Sequence, residues 1–194
     1  MDQVPDLRPD LAAAQSWVAG LIAAVRPDQL GRPTPCREYD VRGLLEHVST
    51  LPGKVTAVAE GNDPRALPSQ APIDPVTVAE NYRTAARSAG DDWADDALLT
   101  TTLTAPWGPA PGGLVVGGFV METIAHGWDL AVATGQDPEA DPGLVATARV
   151  VAEQALTDAH RGPGMPFGPR VDPPAGAGPT TQLAAFLGRS WSPA

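Results

Sequence analysis

Glu122, His126 and Asp129 stand in the most apolar run of this chain, GGLVVGGFVMETIAHGWDLAVATG at 112–135. On a helix turning about 100° per residue, the three fall within about 60° of one another. They form one polar line on an otherwise apolar cylinder. Val115, Phe119 and Ala133 share their side, and Val120, Ile124 and Ala131 lie opposite. A buried carboxylate without a partner costs several kcal/mol, so this line needs partners. His47, in VRGLLEHVSTL, has the same requirement, because Leu44, Leu51 and Val58 share its side of a helix, with Val48 and Val55 near the edge. A divalent cation held by His47, Glu122 and His126 would meet both needs. Glu and His four residues apart share a helix face, and two imidazoles with one carboxylate suit Zn²⁺, Ni²⁺ or Fe²⁺. Three protein ligands leave a position open to water or substrate. Asp129, one turn beyond His126, would fix an imidazole tautomer or add a ligand. The plainer alternative is a pair of core histidines satisfied by hydrogen bonds, with Glu122 paired to one of them or to an arginine.

Other candidates carry less. Cys36, in RPTPCREYD, precedes a helix start, where a thiolate is favoured, but no histidine adjoins it in sequence and a buried structural thiol is the simpler reading. The glycines of PGGLVVGG lack the Lys-Ser/Thr and the preceding strand of a phosphate loop. No nucleophile elbow supports Ser/His/Asp catalysis. His160, beside Arg161, reads as a solvated residue closing a helix. Trp107, Trp128 and Tyr39 line a pocket or pack.

The elements that must position these groups are helical. Apolar spacing predicts a first helix over 7–25, with Leu11, Val18, Leu21, Ile22 and Val25 on one side. Asp40 reads as the N-cap of a second helix over 41–60, which Pro52 should kink or divide. A third runs over 75–93 with Pro75 at its first position. Residues 97–113 are Thr-rich and irregular, with room for a short extended piece. The fourth helix spans about 114–134 and ends at Gly135, a favourable C-cap; a fifth runs over about 142–160. Four main helices with moderate loops predict an all-α fold, an antiparallel four-helix bundle over 1–160. Residues 161–194 form a Pro/Gly-rich tail that ends in a short helix, LAAFLGR, and packs on the same domain.

Composition narrows the function. The 194 residues suggest one domain. The 22 prolines and 20 glycines cluster between apolar runs as punctuation. A formal net charge of −10 repels nucleic-acid backbones and anionic membranes. Three central ionisable groups also argue against reading 112–135 as a membrane span. One cysteine excludes an intrachain disulfide and fits a reducing cytoplasm. The N-terminus shows no signal-peptide pattern.

Three stretches together carry a resemblance: PTPCREYDVRGLLEHV (33–48), METIAHGWDLAVATG (121–135) and FGPRVDPPAGAGPTTQLAAFLGR (167–189). They resemble the DinB/YfiT-like metal-binding proteins, a large actinobacterial group similar to the N-terminal domain of mycothiol-dependent maleylpyruvate isomerase. The AFLGR ending resembles a single-domain subgroup. The resemblance implies a DinB-like four-helix bundle with a metal held by His47, Glu122 and His126. It further implies chemistry in which the metal, zinc first and nickel or iron next, activates the thiol of mycothiol or a similar cofactor. Tyr39 stands where many relatives carry Trp. The isomerase's second domain, which contributes to its substrate site, has no counterpart here beyond the tail. The expected function is therefore a metal-dependent thiol transferase acting on a small thiol and an electrophile, as a monomer or homodimer. The rivals are a non-catalytic metal-dependent binding or stress-response module, and a hydrolase with metal-activated water and Asp129 as base.

Overall fold

The structure, a computed structural model, describes residues 5–157, 160–162 and 167–191. The chain is mostly helical, with α1 (Arg8–Ala23), α2 (Val41–Val48), α3 (Leu51–Ala59), α4 (Val78–Asp92), the single turn α5 (Ala97–Thr100), α6 (Gly112–Thr134), α7 (Pro142–Ala155) and α8 (Pro179–Phe186). One antiparallel hairpin, β1 (Thr102–Ala105) and β2 (Gly108–Pro111), precedes α6.

α6 is the axis of the molecule. α1, α2, α3, α7 and α8 all pack against it, and α4 packs on α1 and α3. Phe119, Val120, Ile124 and Leu130 are fully buried, so the helix is apolar nearly all round because it is covered nearly all round. Gly135 ends it with φ 73°, the left-handed conformation that glycine adopts without steric cost. Among the described residues, no helix is long and apolar enough to cross a membrane.

The run 41–60 divides into two helices at Pro52, as expected, while other boundaries differ from the sequence expectation for local reasons. Pro52 has no N–H to continue the first ladder and sits in the opening turn of α3 instead. Thr50 closes the break by donating from its N–H and its hydroxyl to the His47 carbonyl, at 2.9 and 2.8 Å. α4 begins at Val78 rather than Pro75, because the Asp74 side chain accepts from Val76 N–H and holds 75–77 as a turn. Residues 97–113 are more regular than expected, forming α5 and the hairpin. α7 ends at Ala155, short of the expected 160; His160 closes a tight turn, donating from its N–H to the Thr157 carbonyl at 3.0 Å, and is exposed, accepting a hydrogen bond at Nδ1 from Thr157 N–H at 3.3 Å.

The tail is fastened at both ends of α8. The Glu139 carboxylate accepts from the N–H groups of Thr180 and Thr181 and from the Thr181 hydroxyl, a favourable place for negative charge at a helix N-terminus. Trp128 on α6 donates from Nε1 to the same Thr181 hydroxyl at 3.0 Å. After α8 the chain turns at Gly188 (φ 85°), which packs against the Gly168 backbone, and Arg189 follows.

Candidate metal centre

Asp40 starts α2 by accepting from Gly43 N–H at 2.8 Å. The apolar face of that helix, Val41, Leu44, Leu45 and Val48, is buried. It carries His47 in the last turn, 8% exposed, toward α6. His47 Nδ1 lies 2.8 Å from the Ser69 carbonyl oxygen. A carbonyl only accepts, so Nδ1 holds the proton and Nε2 presents its lone pair. That Nε2 is 3.6 Å from Glu122 Oε1. The Tyr39 ring stacks on the imidazole, with centroids 5.0 Å apart and planes 22° apart.

His126 is held in the same sense. Its Nδ1 donates to Asp129 Oδ2 at 3.1 Å, leaving Nε2 as the free lone pair. The two imidazoles meet edge to face, with centroids 4.8 Å apart at 78°. His47, Glu122 and His126 each offer one ligand atom, and these three atoms lie within 4.8 Å of one another. Two neutral nitrogens with fixed tautomers and a carboxylate match a borderline divalent cation. Burial alone would raise the Glu122 carboxyl. Against that, when His47 and His126 carry a second proton, the His47 Nε2–H facing Glu122 and the positive charges of His126, His47 and Lys54 outweigh burial and hold Glu122 below its ordinary value. Glu122 is thus ionised at neutral pH, as a ligand must be, and its side chain keeps 29% exposure on the open side.

Asp129 is 0% exposed and joins α6 to the tail. Its Oδ2 also accepts from Arg189 Nε at 3.2 Å, while Oδ1 is buried without a hydrogen-bond partner. Asp129 thus orients His126 and is itself neutralised by Arg189. Sequence reading singled out Asp129 but not Arg189. The available signal was the Gly-Arg directly after a short amphipathic helix. The Ser69 carbonyl had no sequence signal at all.

The sequence profile of the mycothiol maleylpyruvate isomerase N-terminal domain matches residues 11–131, which include all three candidate ligands. The chain belongs to this DinB-like family. It is also 39% identical over 178 residues, 91% of its own length and 94% of the relative's, to an uncharacterised protein of Mycobacterium tuberculosis, found in strains H37Rv and CDC 1551. No solved structure matches the chain at a significant level. The family match ends before the tail, so Arg189 lies outside the matched segment.

Cys36 forms a second group with His126 and Asp129, again with ligand atoms within 4.8 Å of one another. It is not at the start of α2. A turn closed by Tyr39 N–H to the Cys36 carbonyl, 3.0 Å, separates them. Burial pushes its thiol up, further than nearby Arg189 draws it down, with Asp129 adding to the rise. The thiol is therefore protonated at neutral pH and a poor nucleophile. We expect Cys36 to react with a disulfide reagent at least about tenfold more slowly in the native protein than in denaturant. Stopped-flow absorbance would check this, and equal rates would show an accessible thiolate. A cavity of about 520 Å³ between α1 and α4, with Arg8, Gln15, Arg83, Arg87 and Trp93 in its wall, shares no residue with the candidate ligands.

Proposed function

We propose that this DinB-like helical domain, read as a four-helix bundle of α1, α2–α3, α4 and α6, holds a divalent metal through His47, Glu122 and His126. Its reaction would transfer a low-molecular-weight thiol of the mycothiol type to an electrophile. The observation that carries the reading is that both histidines place Nδ1 on fixed acceptors, the Ser69 carbonyl and Asp129, which leaves both Nε2 lone pairs for a cation, while one ligand atom from each of His47, Glu122 and His126 lies within 4.8 Å of the others. Histidines that served only packing would not need the same orientation. Zinc is the first choice of metal for this ligand set, with nickel or iron next. When bound, such a cation lowers the pKa of a thiol that enters its open position, supplying a nucleophile at neutral pH.

The chain's own groups then have defined tasks. Ser69 and Tyr39 hold the His47 ring, and Asp129 with Arg189 holds the His126 ring. Glu122 brings one negative charge to the cation, which limits the net charge of the loaded site. Asp129 is fully buried and engaged by both His126 and Arg189. That disfavours the hydrolase alternative, in which Asp129 would act as base on a water. The partners are small molecules in the cytoplasm, not nucleic acid or membrane.

The test is consumption of mycothiol with 1-chloro-2,4-dinitrobenzene by zinc-loaded protein. We expect turnover that His47→Ala reduces at least about 100-fold, the scale of losing a group that acts on the reacting atom. Hydrolysis of esters without thiol would favour the hydrolase. Stoichiometric metal with neither reaction would favour a binding module.

A further inference from the structure

The geometry points to Trp107 as a stacking platform beside this centre, selecting a co-substrate with a planar, apolar group next to its metal-facing atom. This rests on the proposed metal site.

On α6, Leu114, Gly118, Glu122 and His126 recur every four residues, so neighbours in that series lie one above another on the helix surface. Trp107 is in the two-residue loop of the hairpin, between Ala105 and Gly108, which pair with each other. Its indole lies on Gly118, where a Cβ would enter the outer ring. It also tilts against the buried Phe119 ring, with centroids 5.9 Å apart at 60°. The indole is therefore fixed in place one turn from Glu122, and yet it is 53% exposed. Leu114, one turn further back, is 47% exposed. The hairpin packs on both α3 and α6, the second being the helix of Glu122 and His126.

Exposed large apolar side chains are ordinary when scattered, but fixed and grouped beside an ionisable site they mark a recognition surface. Trp107 has the features of such an anchor: a rigid amphipathic ring, supported from beneath and open above. The glycine at 118 is what permits the close seat. A ligand atom at the open position, on the exposed side of Glu122, would place its attached group over this rim. A flat apolar group stacks there, and a small polar one gains nothing.

The probes are benzohydroxamate and acetohydroxamate, which share a metal-binding head and differ only in the flat ring. Each is titrated calorimetrically into the zinc-loaded full chain, with zinc content measured in parallel. We expect wild type to prefer benzohydroxamate by about tenfold more than Trp107→Ala does, with equal zinc content. Gly118→Ala, which displaces the indole while keeping it, should lose the preference equally. A preference unchanged in both variants overturns the role of Trp107 while leaving the metal site intact. Zinc retained with neither hydroxamate bound overturns both the platform and the open position. A chain that binds no zinc removes the metal site, and the platform with it.

Discussion

His126→Ala is expected to retain less than about a tenth of the zinc that the wild type holds after reconstitution, measured by elemental analysis on desalted protein. Removing one of three ligands leaves a two-ligand site, which does not hold zinc against dialysis. Asp129→Asn keeps the three ligands but weakens the acceptor that orients His126, so the expected loss is smaller, about 10–100-fold in affinity. A metal on these residues would bind only the folded arrangement, since His47 comes from α2 and the other two candidate ligands from α6. A chelator should therefore lower the melting temperature of wild type and leave that of His126→Ala unchanged. At free zinc 100 times its Kd, the linkage amounts to about 2.7 kcal/mol. Wild-type zinc content in His126→Ala would mean that His47, Glu122 and His126 are core polar groups satisfied by one another.

Arg189→Met is expected to destabilise the metal-free protein by about 3–5 kcal/mol, because it leaves the Asp129 carboxylate buried without its cation. The surroundings have little capacity to compensate: Asp129 is 0% exposed and its Oδ1 already lacks a hydrogen-bond partner. The control is Asp129→Asn combined with Arg189→Met. With the charge gone from both sides, much of the lost stability should return, and urea denaturation would read the difference as a coupling energy. Strict additivity of the two substitutions would show that the pair does not interact in solution. Arg189→Met should also loosen His126, since the carboxylate that fixes its ring loses its own support. Zinc affinity in this variant should fall even at temperatures where it remains folded.

The helical class and the candidate centre were legible in the sequence for related reasons. An apolar helix that carries Glu122, His126 and Asp129 on one line states a demand for partners, and its i, i+4 spacing states which two groups point together. His47 could be joined to them because its own helix buries the side it stands on. The boundaries were less legible. The division at Pro52 was legible, because proline lacks the N–H that a helix interior needs, but Asp74 holds back the start of α4 by a local side-chain bond that periodicity does not show. The two short strands of the hairpin read as irregular, since four-residue segments give too little pattern to distinguish.

Local sequence thus determined which residues require company: the charged line in α6, the histidine on the buried face of α2, and the αL glycine that ends α6. Only the tertiary structure decided who provides it. The Ser69 carbonyl reaches His47 from a loop 22 residues away, and Arg189 reaches Asp129 across 60 residues of chain after α8 is fastened at Glu139 and Trp128. Trp107 is seated on Gly118 by the fold of the hairpin onto α6. Such pairings have no period along the chain. They follow from how packed elements meet, and a backbone carbonyl, available at every residue, carries no mark in sequence of the one histidine it will hold.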